Sequence, residues 1–92
     1  MLELVTTTQF RKDYKRIKKR GYKINLLQNT IALLLREEIL EDRYKDHPLS
    51  GSYIGFRECH IQSDWLLVYA IDKGMLILTA ARTGTHSDLF DE

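Results

Sequence analysis

A segment near the end of the chain combines a cation, two hydroxyls, a flexible glycine and a titratable imidazole within the five residues Arg82 to His86. It follows an apolar run, Met75 to Ala81, which is typical of a buried strand. Polar side chains placed where a rigid strand ends are a common way to build an active site. Taken alone, the segment favours a polar tail with a turn glycine and one incidental histidine.

Two other histidines and an aspartate change that interpretation. His60 lies at the end of one predicted strand, and Asp64 begins the next after a tight turn, so these two residues must be close in space. The last strand returns to the same end of the sheet and brings Arg82 and His86 with it. His47 lies in the loop that leads into the sheet. The strand pattern therefore predicts a cluster of acid–base residues at one end of the sheet.

Four interpretations of this cluster remain open. Three histidines and an aspartate suit zinc by ligand type, but none of the usual close ligand spacings is present. A nucleophile made of Cys59 and His60 is disfavoured, because neighbours on a strand point to opposite faces and Cys59 then belongs to the core. The third interpretation is a structural set of satisfied polar groups. The fourth is acid–base cleavage of a phosphodiester.

Cleavage of RNA suits these residue types because the substrate carries its own nucleophile, the 2′-hydroxyl. The reaction needs a base for that proton, an acid for the departing 5′-oxygen and cations for the pentavalent phosphate. Histidine, with an ordinary pKa of about 6.5, serves as either base or acid near neutral pH. The guanidinium of Arg82 matches the geometry of phosphate oxygens. We expect this chemistry to require no metal and no other cofactor.

The distribution of charge indicates a polyanionic partner. The net charge is only +1, yet the stretch from Arg11 to Lys23 contains eight Lys or Arg and a single acid, Asp13. An excess of this density, uncompensated along the same segment, favours nucleic acid over a merely solvated helix surface. The residues predicted to contact RNA in this stretch are Lys12, Lys15, Lys18, Lys19 and Arg20.

The composition bounds the remaining possibilities. Ninety-two residues suffice for one domain, predicted to span 1–92, and a hydrophobic content of 43% argues against disorder. The lone cysteine, Cys59, allows no intrachain disulfide. No signal peptide is visible, and apolar runs such as Trp65 to Ile71 are too short to cross a bilayer. These features predict a soluble cytoplasmic protein without a membrane partner.

The periodicity predicts an α+β fold, in which an N-terminal strand and a helical hairpin pack on one face of an antiparallel sheet of about four strands. Leu2 to Val5 indicates the first strand. The i, i+4, i+7 spacing of Phe10, Tyr14 and Ile17 predicts a helix that follows a threonine cap and stops at Gly21. A second helix starts near Lys23, with its apolar face at Ile24, Leu27, Ile31, Leu34 and Leu35.

The second half of the chain predicts a loop from Asp46 to Gly51 and then a meander of three strands. The strands cover about Ile54 to Ile61, Trp65 to Ile71 and Met75 to Ala81. A short helical turn carrying Leu89 and Phe90 follows, capped by Thr85 or Ser87. The face of the sheet opposite the helices is expected to carry the polar residues and the function.

Four blocks from Tyr44 to Phe90 follow one another in a specific order and spacing. They are YKDHPLSGS at 44–52, GFRECH at 55–60, DWLLVY at 64–69 and RTGTHSDLF at 82–90. Together these blocks resemble the YafQ toxins, which belong to the RelE/ParE superfamily of bacterial toxin–antitoxin systems. The helical half of the chain matches that family only in pattern.

The resemblance implies a RelE/ParE-like fold and a ribosome-dependent endonuclease that cuts mRNA codons in the ribosomal A site. It further implies a cognate antitoxin that silences the toxin, and a toxin–antitoxin complex that binds its own operator DNA. Two alternatives share the fold: a ParE-like toxin that blocks DNA gyrase by binding, and an inactive relative that acts only in the antitoxin complex. The family's functional residues match His47, His60, Asp64, His86 and Phe90, with Trp65 and Arg82 in the same blocks.

We expect His86 to be the general acid, and Asp64, or His60 oriented by Asp64, to be the base. His47 and Arg82 are expected to stabilise charge on the phosphate. Phe90, which only the resemblance selects, is expected to pack the C-terminal turn or to stack on a base, and Trp65 is predicted to contact RNA.

The antitoxin is predicted to cover the segment from Arg82 to Phe90. Exposed Trp65 or Phe90 would serve as apolar anchors for it. It could also add a strand to an edge of the sheet, for which Leu2 to Val5 and Ile54 to Ile61 are the candidates.

Overall fold

The computed structural model describes residues 1–90 and contains one five-stranded sheet in the order β1-β5-β4-β3-β2. The α+β class, the helical hairpin and the three-stranded meander are confirmed. The sheet is mixed because β1 pairs with β5 in parallel, whereas the other pairs are antiparallel. The strands are β1 Glu3–Thr6, β2 His47–Pro48, β3 Arg57–Gln62, β4 Trp65–Asp72 and β5 Ile77–Gly84, and the helices are α1 Thr8–Lys19, α2 Ile24–Leu35 and α3 His86–Phe90.

Two predicted strand starts lie too early in the chain. The third strand begins at Arg57 rather than Ile54, because Gly51–Tyr53 forms a turn of 3-10 helix before it. The last strand begins at Ile77 rather than Met75, since the hairpin turn extends to Leu76, which has a left-handed φ of 57°.

 Both starts therefore reflect turn geometry, which apolar periodicity does not record.

The first helix ends as its sequence predicts. Gly21, with a φ of 83°, adopts the left-handed conformation that glycine favours after a helix. Its N–H donates to the carbonyl of Lys18 at 3.1 Å, and the N–H of Tyr22 donates to the carbonyl of Ile17 at 3.1 Å. Of the helices within residues 1–90, none is long and apolar enough to cross a membrane.

The middle strand, β4, is covered on both faces. Trp65, Leu67 and Tyr69 point into the main core together with residues of α1 and α2. Leu66 and Val68 point the other way, into a smaller apolar cluster that includes residues of α3 and of the 49–56 loop. The face opposite the hairpin therefore carries the predicted polar residues together with a second apolar core, which the sequence analysis did not predict.

The first helix also serves as a neighbour for β5 beyond the end of β1. The pairing of β1 with β5 stops at Thr6 and Ala80. Past that point the Thr7 hydroxyl, which caps α1 by accepting from the N–H of Phe10, donates to the carbonyl of Ala81 at 2.8 Å. Residues of α1 thus satisfy backbone groups of β5 that no strand reaches.

A buried carboxylate completes this attachment. Asp13, in the middle of α1, has no exposed surface. It accepts from Arg82 Nε at 2.7 Å and Nη2 at 3.3 Å, from Arg16 Nη2 at 2.9 Å and from the N–H of Thr83 at 3.2 Å. A charge can be buried at this position because it is paired and fully hydrogen-bonded. It holds α1 against the end of β5.

We predict that Asp13→Ala lowers the free energy of unfolding by about 3–5 kcal/mol, because it leaves the partly buried guanidinium of Arg82 without its partner. Urea unfolding measures the difference. Lys12→Ala, an exposed neighbour on α1, is the matched control and should stay within about 0.5 kcal/mol of the unchanged protein. A loss below about 1 kcal/mol for Asp13→Ala would show that this contact adds little to stability.

Candidate active site

The last helix, α3, presents His86 as its first residue. Thr85 caps the helix, as one of the two predicted alternatives: its hydroxyl accepts from the N–H of Asp88 at 3.1 Å. In return, Oδ2 of Asp88 accepts from the N–H of Thr85 at 3.0 Å. This reciprocal arrangement fixes the first turn of a very short helix, and with it the backbone of His86.

His86 and Asp64 form the central pair of the site. His86 Nδ1 lies 2.9 Å from Asp64 Oδ1, and the backbone N–H of His86 donates to the same oxygen at 3.2 Å. These hydrogen bonds hold the pKa of Asp64 below its ordinary value. The Asp64 side chain remains 63% exposed, so the pair lies at the protein surface, where a substrate can reach it.

Glu58 lies beneath the histidines, and the sequence analysis did not select it. Its side chain is 6% exposed. Oε2 is 3.0 Å from His47 Nε2, whereas Oε1 is 3.9 Å from His86 Nε2 and has no hydrogen-bond partner among the described residues. A nearly buried carboxylate oxygen that faces a histidine without a hydrogen bond is an unusual arrangement outside functional sites.

His60 and Phe90 complete the cluster. The rings of His60 and His86 are 5.8 Å apart between centroids, and those of His86 and Phe90 are 6.2 Å apart. Phe90 also packs edge-on against Tyr53, with centroids 5.6 Å apart. The predicted packing of the C-terminal turn by Phe90 is therefore present. It places an aromatic side chain directly beside the acid–base residues.

His47 is held in place by the loop that precedes it. Its Nδ1 donates to the carbonyl of Lys45 at 2.8 Å. Between these two residues, Asp46 Oδ1 accepts from the Tyr69 hydroxyl at 2.7 Å and from Arg57 Nε at 3.3 Å. The loop is thus fastened to β3 and β4, and His47 is directed at Glu58.

Three of these side chains could hold a metal ion. One ligand atom from each of Glu58, His60 and His86 lies within 4.8 Å of the others. Imidazole and carboxylate ligands suit zinc and copper by type. The nearly buried Glu58 oxygen without a hydrogen-bond partner fits such an ion as well as it fits a proton.

The structure brings together most of the residues predicted for the site. His47, His60, Asp64, His86 and Phe90 lie around Glu58 or around each other, as the contacts above show. Their assembly follows from the meander: His60 pairs with Leu66 across β3 and β4, and Leu66 pairs with Gly84 across β4 and β5. Glu58 could have been found from the same pattern, because it lies two residues before His60 on the same face of β3.

Arg82 is engaged within the protein. Its Nε and Nη2 atoms bind Asp13, its Nη1 is 3.5 Å from the Tyr53 hydroxyl, and Nη2 also donates to the carbonyl of Asp88 at 3.4 Å. Its side chain is 18% exposed. The guanidinium thus supports α3 from below, and its predicted contact with phosphate remains a prediction.

The expectation that Trp65 is exposed and contacts RNA is wrong. Trp65 is 1% exposed and belongs to the main core. Its indole N–H donates to the Thr83 hydroxyl at 2.9 Å, and its ring packs edge-on against Tyr22 with centroids 5.0 Å apart. As the first residue of a strand whose odd-numbered positions face the helices, Trp65 has to point inward.

Cys59 points into the core, as predicted. It is fully buried, and burial raises the pKa of its thiol to about 12. A thiol with this pKa is not a nucleophile near neutral pH. The interpretation of Cys59 and His60 as a catalytic pair is therefore excluded.

The basic surface lies on α1. Lys12, Lys15, Lys18 and Lys19 are exposed along this helix. Arg20 is exposed as well, but its guanidinium forms a two-point ion pair with Asp88 in α3, at 2.7 and 3.2 Å. The lysines are thus available to a polyanion, whereas Arg20 already has a partner.

Comparison with known proteins defines the class to which this fold and site belong. A family model described as "Bacterial toxin of type II toxin-antitoxin system, YafQ" matches residues 2–91. The mRNA interferase toxin YafQ of Escherichia coli strain K12 is 43% identical over 84 residues, which cover 89% of this chain and 88% of that protein. The class is that of toxins from type II toxin–antitoxin systems. Within it, the chain belongs to the YafQ family, which confirms the resemblance noted in the sequence blocks.

Solved structures agree with this placement. The crystal structure of YafQ from Escherichia coli strain BL21(DE3) matches with a TM-score of 0.90 at 36% identity, covering 98% of this chain and 99% of that one. YafQ in the Escherichia coli DinJ–YafQ complex matches with a TM-score of 0.89 at 37% identity and the same coverage. A metal-bound toxin from Helicobacter pylori matches with a TM-score of 0.91 at 44% identity, covering 98% of this chain and 100% of that one.

We predict that Asp64 stays ionised at pH values below the ordinary midpoint of an aspartate, about 3.9. Because the pKa of Asp64 is lowered, its bond to His86 should persist down to that lowered pKa and be lost only as the pH falls through it. The titration of the side-chain carboxyl carbon by NMR measures the midpoint. In His86→Ala the midpoint of Asp64 should rise, because the hydrogen bond from the imidazole is lost. An unchanged Asp64 midpoint would show that the pair does not exist in solution.

Proposed function

We propose that this chain is an endoribonuclease that cleaves mRNA on the ribosome by acid–base chemistry. The observation that carries the proposal is the His86–Asp64 pair, 2.9 Å apart, beside His60 and above the nearly buried Glu58. The name of the Escherichia coli relative, mRNA interferase toxin, supports the same substrate. A cluster of three histidines and two carboxylates favours cleavage over a toxin that acts on gyrase only by binding.

In this mechanism His86 is the general acid. Oδ1 of Asp64 accepts a hydrogen bond from Nδ1 of His86, which leaves Nε2 of His86 to donate a proton to the departing 5′-oxygen of the RNA. The same contact keeps the ring in one orientation. Asp64 is therefore a partner of His86 rather than the base, a choice that the sequence analysis left open.

His60 is then the base that takes the proton from the 2′-hydroxyl. Its ring lies 5.8 Å from that of His86, close enough for both rings to contact one phosphate group. The phosphate gains negative charge as it becomes pentavalent, and His47 supplies positive charge nearby. The two nitrogens of His47 face the Lys45 carbonyl and the Glu58 carboxylate, and these contacts hold the ring in one orientation beside the cluster.

Glu58 links two of these groups electrostatically. Its carboxylate lies between His47 and His86, so its negative charge attracts the polar hydrogens of both rings. In a nearly buried position this attraction is less screened than at the surface. Glu58 is thus proposed to keep the site supplied with positive charge and with a proton for the leaving group.

The proposed chemistry needs no metal, because the histidines supply both proton transfers. A transition metal held by Glu58, His60 and His86 would instead act as a Lewis acid on the phosphate. Because a metal-bound toxin from Helicobacter pylori has a similar structure, we propose a direct test of metal dependence. Toxin stripped of transition metals by chelation and desalting should cleave at its full rate in magnesium buffer. Loss of cleavage that zinc or copper restores would contradict metal independence.

The exposed lysines of α1 are proposed to bind the ribosomal RNA backbone, since α1 presents Lys12, Lys15, Lys18 and Lys19 to solvent. A cognate antitoxin is the proposed protein partner, as DinJ is for YafQ in the Escherichia coli complex. The complex of toxin and antitoxin is further proposed to bind its own operator DNA. These partners imply action in the cytoplasm.

We predict that His86→Ala lowers the single-turnover rate of mRNA cleavage on ribosomes by about a hundredfold or more, because it removes the general acid. Mapping of mRNA 5′ ends over time measures the rate. Gln62→Ala, an exposed change at the end of β3, is the control and should cleave normally. Cleavage by His86→Ala near the unchanged rate would remove this residue from the mechanism.

We predict that the antitoxin protects the amides of residues 82–90 from hydrogen exchange, since covering α3 would silence His86. Trp65 cannot anchor the antitoxin, because it is buried, whereas Phe90 is partly exposed. Both proposed edges offer open backbone: β1 is an edge of the sheet, and β2 pairs only with Arg57 and Glu58, so no described strand lies beside residues 59–62 on that side of β3. Exchange of the toxin is compared with and without antitoxin. Protection confined to α1 would show instead that the antitoxin blocks docking to the ribosome.

A further inference from the structure

The end of the basic helix is joined directly to the helix that carries His86. Arg20 follows the last residue of α1, and both terminal nitrogens of its guanidinium bind Asp88 of α3: Nη1 to Oδ2 at 2.7 Å and Nη2 to Oδ1 at 3.2 Å. Sixty-eight positions separate the two residues in the chain. A planar two-point pair of this kind fixes orientation as well as distance.

Asp88 also stabilises the start of α3. The oxygen that binds Arg20 Nη1 also accepts from the N–H of Thr85, the cap of α3. Its carboxyl lies so close to Gly84 that a Cβ there would meet Oδ2 at 2.9 Å. The hydrogen bond from Arg20, and to a lesser extent the hydrogen bonds with Thr85, hold the pKa of Asp88 well below its ordinary range. The Asp88 side chain is therefore an anion near neutral pH. Asp88 therefore joins the start of α3 to α1.

The helix that depends on this contact is short. With five residues, α3 cannot be stable alone, because helix nucleation is unfavourable in water. It is held by its cap, by the packing of Leu89 in the second core and by arginines: Arg20 on the Asp88 carboxylate and Arg82 on the Asp88 carbonyl. His86 lies at the start of this helix, within reach of Asp64 and Glu58.

We propose that Arg20 is a positioning residue, which acts through Asp88 to set the location of α3 and hence of His86. The proposal rests on the proposed function of the site. It replaces the prediction that Arg20 contacts RNA, because the guanidinium that would bind a phosphate is already occupied by a carboxylate. A small displacement of His86 is enough to slow proton transfer strongly.

The first test separates positioning from RNA binding by kinetics. Arg20→Ala is expected to lower the maximal cleavage rate on ribosomes about tenfold or more, with the ribosome concentration for half-maximal rate changed less than about twofold. Lys19→Ala removes the same charge one position earlier, from a residue that pairs with no acid among residues 1–90. It should instead raise that concentration and lower the salt dependence of binding. An Arg20→Ala variant that behaves like Lys19→Ala would overturn the proposal.

The second test asks whether Arg20 acts through Asp88. Asp88→Asn keeps an oxygen for the N–H of Thr85 but removes the charge that binds Arg20. If the two residues act as a unit, adding Arg20→Ala to Asp88→Asn should cost little further rate, less than about twofold. Independent, multiplying losses would place Arg20 on some other partner and overturn the proposal.

The third measurement does not depend on cleavage. Arg20→Ala should increase hydrogen exchange at the amides of α3, including the N–H of Leu89 that donates to the carbonyl of Thr85, while α2 keeps its protection. It should also shift the NMR signals of the His86 ring. Unchanged exchange and signals would overturn the proposal even if cleavage fell. If the protein without substitutions proved inactive on ribosomes, the proposed function would fail. The positioning role would still stand if α3 of Arg20→Ala showed the increased exchange described above.

Discussion

The attachment of α1 to the end of β5 through the carboxylate of Asp13 is the contact on which the rest of the site depends. A buried charge is costly unless every oxygen is satisfied, and here arginine and backbone donors from both elements converge on it. The contact fixes Arg82 and Thr83, the residues from which the chain turns into α3. His86 is therefore located in part by an interaction that lies outside the cluster of histidines and carboxylates.

The remaining site residues come from a stiffer part of the molecule. Glu58 and His60 lie on β3, where both pair with β4 and Glu58 also pairs with β2, and Asp64 lies in the tight turn between β3 and β4. The site thus combines a platform of paired strands with one short helix and one loop. A residue on the strands can move little, so the geometry of the cluster is set mainly by how α3 and the His47 loop are held.

Local patterns in the sequence were sufficient for the helices, the meander and the meeting of His60, Asp64 and His86, because tight turns leave few alternatives for neighbouring strands. The parallel pairing of β1 with β5 has no local signal, since it joins the two ends of the chain. In the sequence Asp13 is a single acid among many basic residues, and no local pattern indicates that it is buried or that it binds Arg82. Trp65 was predicted to be exposed because it stands in one of the functional blocks of the sequence, whereas strand alternation turns its side chain into the core.

The joining of the two chain ends also determines when an active toxin can exist. α1 can form early in synthesis, but its partners on β5 and α3 lie about seventy residues later, at separations of 68 to 70 positions. The strand β1 likewise waits for β5. Contacts of this range form only after the later segment has emerged from the ribosome. A nascent chain therefore cannot assemble the cluster around His86 until α3 has left the exit tunnel.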